Sequence, residues 1–421
     1  MEMLLKVILP VVVILVGVVI LNCPIYIGIF AATVYLQLVV NHLPLSNMFT
    51  SLVESLNKEN LLSVPFFVFA GGLMAATSLG ERLMNVFVEL LRKVRGGTPI
   101  ACVFANAVFG AISGASSAAV ATFGKITYEP MRKDYGEPMA MGVITSSASL
   151  SSIIPPSITM ILYCVCAEQS LKDMFKCGII PGLLIVLLVS VWIIVRSKNA
   201  VLHHAVREKG VLKTAVLKSI PVLVLPVIVL GGVYAGIATA TEIGAISAIY
   251  CLIVGLCLRE INWKKLKKTM IGSAKTTAQV WLLVATSSVF AQAFTVTRLP
   301  EYIGNLFQGS NKWIFLLMIN ILLLVMGCIF DTAAAILIFV PMLLPSALAL
   351  GIHPLHLGII FVINLSIGKF TPPFGMNIFV AQSVLKRSFG EITKACVPYV
   401  VLYLIALVLV TVFPAISLAL I

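Results

Sequence analysis

A chain of 421 residues that is 60% hydrophobic and 11% charged cannot cover a water-facing surface with polar groups. Soluble domains carry about 25% charged residues, so the composition excludes a soluble globular protein, a disordered chain and a disulfide scaffold, and leaves an all-α polytopic membrane protein. The net charge of +13, from 29 Lys and Arg against 16 Asp and Glu, fits either a nucleic-acid partner or the positive-inside bias of membrane loops.

Helices long enough to cross about 30 Å of hydrocarbon are predicted near 4–21, 24–43, 61–91, 138–168, 174–195, 219–237, 240–258, 271–297, 356–385 and 395–420. The first run resembles a signal peptide. It shows no small-residue cleavage site and leads directly into the run at Pro24, so it is expected to stay as a first span. Two further runs, 99–128 and 313–350, are interrupted at their centres by Ser113-Gly114-Ala115-Ser116-Ser117 and by Asp331-Thr332. Bare backbone at membrane depth survives only inside protein or beside a cavity, so each run is expected to be a re-entrant hairpin. One long tilted helix, or two short full spans, is the alternative for each.

The positions of the basic residues decide what the net charge means. Arg92-Lys93-Arg95, Arg132-Lys133, the stretches Arg196 to Lys218 and Arg259 to Lys268, and Lys386, Arg387 and Lys394 fall on one side, nineteen in total. Lys6, Lys58, Lys172, Lys176, Arg298 and Lys312 fall on the other, while Arg82, Lys125, Lys275 and Lys369 lie within or beside apolar runs. Nineteen against six fits ten spans and two hairpins with both termini outside, and no nucleic-acid partner is expected.

An internal repeat supports the same layout. Pro10-Val-Val-Val-Ile-Leu-Val-Gly17 resembles Pro226-Val-Ile-Val-Leu-Gly-Gly-Val233 at an offset of 216, which also relates Gly28 to Gly244 and Gly142 to Gly358. An offset of 217 relates Gly110-Ala-Ile112 to Gly327-Cys-Ile329 and Pro155-Pro156 to Pro372-Pro373. The units 1–210 and 211–421 then hold five spans and one hairpin each. An odd number of spans inverts the second copy, so the first hairpin enters from the cytoplasm and the second from outside. The expected fold is two inverted repeats with re-entrant hairpins and unwound helices.

Both units set a proline pair in mid-span, Ile153-Ile154-Pro155-Pro156-Ser157 and Phe370-Thr371-Pro372-Pro373-Phe374-Gly375. Proline lacks the N–H and clashes with the preceding turn, so the helix must open there. In lipid the freed carbonyls suit a cation and the new half-helix N-terminus suits a carboxylate. One such pair reads as a kinked packing helix; two at equivalent positions, each after a polar-tipped hairpin, point to a binding site. Ser146, Ser147, Ser149, Ser151 and Ser152 crowd the approach to Pro155, and Asn364 and Ser366 precede Thr371. Singly these read as packing, and as a group they are hard oxygen donors for Na⁺. Asp331 is an acid at membrane depth, and such residues are functional candidates.

Lys369 either meets a substrate carboxylate or snorkels, and Lys125 is expected to reach the interface. Thr239-Ala240-Thr241-Glu242 reads as a helix start, His203-His204 as solvated, and His353 with His356 as an i,i+3 pair outside. The nine cysteines lack ligand spacing. With no phosphate-cradling loop and no Ser/His/Asp, HExxH or paired-carboxylate constellation, neither an ATPase nor another enzyme is expected.

Phe109-Gly-Ala-Ile-Ser-Gly-Ala-Ser116, Met131-Arg132 with Tyr135-Gly136, Ile153-Ile-Pro-Pro-Ser157, Phe175 to Pro181-Gly182, Thr239 to Glu242 and Phe370-Thr-Pro-Pro-Phe-Gly-Met-Asn377 resemble the large membrane subunit of TRAP (tripartite ATP-independent periplasmic) transporters. The resemblance runs over nearly the whole chain. It implies an elevator-type, Na⁺-coupled importer of a small organic acid, such as a dicarboxylate or sialic acid, in the bacterial inner membrane. It also implies a small membrane subunit, expected on a separate chain, and a periplasmic substrate-binding protein.

By the same resemblance, one Na⁺ site surrounds Ser113, Gly114, Ser152, Pro155 and Ser157, and another surrounds Asp331, Thr332, Thr371, Pro372 and Gly375. Ser113, Ser116, Ser157, Lys369, Thr371 and Asn377 face the substrate. A core of about 99–170 and 312–388 moves against a scaffold of the other helices. The family often has proline at the Ala240 position and serine at the Ala115 position, and the latter leaves that hydroxyl's role open. The alternatives are a stand-alone sodium/dicarboxylate or ion/proton exchanger, a passive channel, and a multi-span membrane enzyme. The enzyme would need acidic clusters on its loops that the sequence lacks.

Overall fold

The computed structural model describes residues 6–7, 9–21, 23–197, 211–297 and 311–421, and every regular element among them is helical. His203, His204, Arg298 and the basic residues between 198 and 210 lie outside the described residues. The chain opens with α1 (Leu9–Ile20) and α2 (Ile25–Tyr35), which continues as a π turn over Leu36–Val40. A short amphipathic helix, α3 (Ser46–Leu56), leads to α4 (Glu59–Ala75) and α5 (Leu79–Leu91).

The run 61–91 is therefore two helices rather than the single span expected, and they meet at a 70° corner. Beyond the corner the pattern turns amphipathic: α5 buries Leu79, Gly80, Leu83, Met84 and Val86 and leaves Glu81 and Asn85 in the open. Then follow α6 (Gly97–Ser113), α7 (Ser116–Tyr135), α8 (Glu137–Ser147) with a 3₁₀ turn at Ala148–Ser152, α9 (Ile158–Ala167) and α10 (Leu171–Arg196).

The second half runs through α11 (Val211–Tyr234), α12 (Ala240–Cys257), α13 (Trp263–Val296), α14 (Lys312–Ile329), α15 (Thr332–Ala349), α16 (Pro354–Gly368), α17 (Met376–Leu385), α18 (Phe389–Val412) and α19 (Ala415–Leu418). The repeat read from the sequence reappears as a repeat of elements. Helices α6 to α10 start at 97, 116, 137, 158 and 171, and α14 to α18 at 312, 332, 354, 376 and 389, which are offsets of 215, 216, 217, 218 and 218. In the same register α13 starts 217 residues after α3, and joins in one 34-residue helix what the first unit divides between α3 and α4.

Among the described residues seven helices, α10 to α15 and α18, are long and apolar enough to cross a membrane, with α4 and α5 together an eighth. The halves of the two broken spans are shorter. The two units also exchange partners: α9 packs on α15, and its counterpart α17 packs on α7, where a Cβ on Gly124 would come 2.9 Å from Val384.

Polar contacts tie the loops together in two groups. Arg132 pairs with Glu137 (3.5 Å), Arg387 bonds both Glu137 and Tyr128, and Arg82 reaches the Lys218 carbonyl (3.1 Å). In the other group Lys58 bonds the Val165 carbonyl (2.9 Å) and Thr241 bonds that of Glu59 (3.2 Å).

Glu260, in the α12–α13 loop, fixes the corner by accepting from Ser78 N–H (2.6 Å) and Oγ (2.5 Å) and pairing with Arg82 (3.5 Å). It caps α5 from another element. Burial alone would raise its pKa, but the Ser78 bonds and the Arg82 charge outweigh that and hold it below the ordinary 4.5. The stability it contributes is complete above the ordinary value and is lost as pH falls through the lowered one. Glu260→Ala is expected to cost about 1–2 kcal/mol at pH 7 and much less in acid, and thermal unfolding in detergent at the two pH values measures both.

Candidate functional site

The first hairpin turns at Gly114, whose φ of +59° suits a residue without a Cβ, and Ala115 is extended before α7 begins at Ser116. Ser113 Oγ accepts from Ala115 N–H (3.4 Å). Glycines let this tip sink into its neighbours. A Cβ on Gly71 of α4 would lie 2.5 Å from Ser113 Cα, and one on Gly110 would collide with Ser151. Below the tip, α8 loses its helical register at Ala148–Ser152, turns at the cis Pro155-Pro156 pair and resumes as α9. The first tip and first break thus meet, since a Cβ on Gly114 would come 3.1 Å from the Ile158 side chain.

The second unit repeats the arrangement with different residues. Asp331 caps α15 by accepting from Ala333 N–H (3.0 Å). The break follows α16 with a second cis pair, Pro372-Pro373. Phe374 N–H donates to the Cys328 carbonyl (3.1 Å), which ties break to tip, and a Cβ on Gly368 would collide with the Gly327 backbone. Thr371 Oγ1 donates to the Ile367 carbonyl (2.7 Å), and Asn377 N–H to that of Lys369 (2.9 Å). Tip and break enclose a cavity of about 120 Å³ lined by Asp331, Thr332, Gly368, Lys369, Phe374 and Met376, among others.

The two breaks differ in access. At the first, Ser151, Ser152, Pro155, Pro156 and Ser157 are all buried, and the hydroxyls turn inward: Ser157 Oγ donates to the Ser152 carbonyl (2.7 Å), and Ser149 Oγ to that of Ser146 (2.7 Å). At the second, Asp331, Pro372, Pro373, Phe374 and Met376 are exposed.

Lys369 joins the two. Instead of snorkelling it reaches from the second break into the first, where its Nζ donates to Ser152 Oγ. Its other two protons have no hydrogen-bond partner among the described residues, and the side chain borders the Asp331 cavity. Ser152 and Lys369 are 217 positions apart, the offset that relates the proline pairs. Residues that are equivalent in two units and yet touch lie on the axis relating those units.

The structure packs Ser113 against α4 and Gly114 against α9, joins Ser152 to Lys369 by a hydrogen bond, and sets Asp331 and Thr332 with Lys369 around the cavity, whose lining does not include Thr371, Pro372 or Gly375. Asn377 is outside the lining of this cavity. Its amide donates to the Thr145 carbonyl (3.2 Å), away from the cavity, and Oδ1 has no partner among the described residues. Lys125 is exposed. His353 caps α16 while His356 meets Ser417 (2.7 Å), so these two histidines serve separate ends.

Three residues missed by sequence reasoning stand behind the breaks. Tyr403 donates to the Ser146 carbonyl (3.1 Å), Asn106 to Ser147 Oγ (2.8 Å), and Asn320 accepts from Asn364 (2.7 Å). Ser147 and Asn364 are again 217 positions apart. The signal was an amide inside each otherwise apolar hairpin arm.

The family model described as the tripartite ATP-independent periplasmic transporter, DctM component, matches residues 11–416. The chain belongs to this family. It is 34% identical, over 88% of each chain, to the C4-dicarboxylate TRAP transporter large permease protein DctM of Pseudomonas aeruginosa. It is 30% identical, over 93% of each, to the sialic acid TRAP transporter large permease protein SiaM of Vibrio cholerae. The solved YdaH transporter of Alcanivorax borkumensis shares its fold, with a TM-score of 0.58 at 15% identity over 88% of this chain and 89% of that one. In this TRAP permease the two breaks with their approaches carry a dense group of buried polar residues, Ser146, Ser147, Ser149, Ser151, Ser152 and Ser157 in the first and Asn364, Ser366 and Asn377 in the second. Large apolar side chains are exposed along the other helices.

Proposed function

We propose that this chain is the permease of a Na⁺-coupled importer, taking a small organic acid from a periplasmic binding protein and working with a small membrane subunit in the bacterial inner membrane. The observation that carries the reading is the cavity between the second tip and the second break, where Asp331, Thr332 and Lys369 meet in an otherwise apolar span, with Thr371 at the start of the opened backbone two residues on. Asp331, the Thr371 hydroxyl and the carbonyls freed around Gly375 are hard oxygen donors suited to Na⁺. The Lys369 ammonium supplies a positive charge for a carboxylate, which C4-dicarboxylates and sialic acid share.

Binding of Na⁺ neutralises the carbonyl field and completes the anion site. The loaded core, about 99–170 and 312–388, then moves as an elevator against the remaining helices, and the inverted second unit supplies the opposite opening. The first tip and break, Ser113–Ser116 with Ser152–Ser157, are the counterpart of this site.

Succinate and sialic acid uptake into vesicles containing both membrane subunits tests the reading. Uptake of one of them is expected to require an inward Na⁺ gradient and the added binding protein. Uptake by the permease without binding protein would favour the stand-alone exchanger, and uptake indifferent to Na⁺ would remove the coupling.

A further inference from the structure

The two breaks are related by the repeat but are not in the same condition. The second is exposed, borders a cavity and carries an acid at its tip. The first is buried, and Ser152 is engaged at both of its oxygens: its carbonyl accepts from Ser157 and its Oγ accepts from the Lys369 ammonium, while Ser151 Oγ beside it has no hydrogen-bond partner among the described residues. A positive group thus sits among the hydroxyls and opened backbone where the symmetric design would place a free cation. The residue equivalent to Lys369 in the first unit is Ser152 itself, so the second unit receives no ammonium in return.

We infer that Lys369 is a tethered cation that takes the place of one coupling ion at the first break, leaving this permease to bind free Na⁺ at the second break alone. The inference rests on the Na⁺-coupled reading above. The physical case has two parts. A free Na⁺ at Ser152 would share a low-dielectric site with an ammonium bonded to the same hydroxyl, and the two like charges repel. An ammonium built into the chain meets its ordering and desolvation costs once, on folding, whereas an ion from water must be captured and desolvated on every cycle. Ser152 is fully buried, so the ammonium's contact with it is sheltered from competing water.

Equilibrium binding of radiolabelled Na⁺ to the purified two-subunit membrane complex tests this. Wild type is expected to bind one Na⁺ per permease chain. Lys369→Met removes the tethered charge, opens the first break and doubles the capacity to two. Lys369→Arg keeps a charge and stays at one, and Lys369→Met with Ser152→Ala returns to one. A capacity of two in wild type, or of one in a folded Lys369→Met complex, overturns the inference. The wild-type value decides by itself if Lys369→Met does not fold. No Na⁺ binding to wild type is a different failure, because it removes the sodium-coupled reading on which the inference depends.

Discussion

Gly368→Ala is expected to lower Na⁺-driven uptake at least tenfold while the protein still reaches the membrane. A Cβ at 368 collides with the carbonyl carbon and oxygen of Gly327, and both partners are backbone, so no side chain can swing aside. Overpacking of this kind costs about 1–3 kcal/mol. Here the cost falls on the contact that holds the second tip against the second break, so the cavity holding Asp331, Thr332 and Lys369 widens as the two part. Gly390→Ala is the matched control, since nothing lies within 4 Å of a Cβ there. Initial uptake rates normalised to permease content measure the difference. A Gly368→Ala protein that transports like Gly390→Ala would show that tip and break need not stay in contact.

Thr371→Ala is expected to raise the Na⁺ concentration giving half-maximal uptake by tenfold or more, with Thr371→Ser restoring it. The hydroxyl donates to the Ile367 carbonyl (2.7 Å), which uses its proton and leaves its lone pairs free to meet a cation. A hydrogen-bonding group facing a charge is worth about 1.5–3 kcal/mol, and every 1.4 kcal/mol is about a factor of ten in affinity. Sodium titrations of uptake at saturating substrate give the shift. Superimposable curves for wild type and Thr371→Ala would exclude Thr371 from the ion's ligands.

Particular residues show what the sequence could reveal about this fold. Two prolines in succession break a helix wherever they occur in an apolar span, so both breaks were readable from chemistry that acts between neighbours in the chain. The tips were readable for the same reason, from Ser113–Ser117 and Asp331-Thr332. The corner at residues 76–78 was not, because 61–91 as a whole is apolar enough to pass as one helix although its second arm is amphipathic. The acid that caps α5 lies 182 positions away at Glu260. Likewise α13 starts eight residues before its apolar run, where Asn262 caps Lys265 N–H (2.8 Å) ahead of a stretch that hydropathy cannot score.

At the site, the oxygen donors were visible as residue types, but which of them face one another was not. The chemistry of Lys369 alone fits two roles, and its hydrogen bond to Ser152 depends on a partner that only tertiary folding supplies. The number that would have found Ser152 was already present in the 217-residue offset of the prolines.

The exchange of α9 and α17 between the units has a consequence for how the chain is made. The groove on α7 is filled by α17, whose last residue is 385, while α7 itself is complete at 135. At about 5–20 residues per second, roughly ten seconds to a minute of synthesis separates the two. Through that interval the first hairpin waits in the bilayer with its groove covered by lipid or by another protein. Assembly order is therefore written into the topology: the insertion machinery must shelter a half-built core until nearly the whole protein has emerged, and a stalled ribosome leaves an exposed cleft for quality control to find.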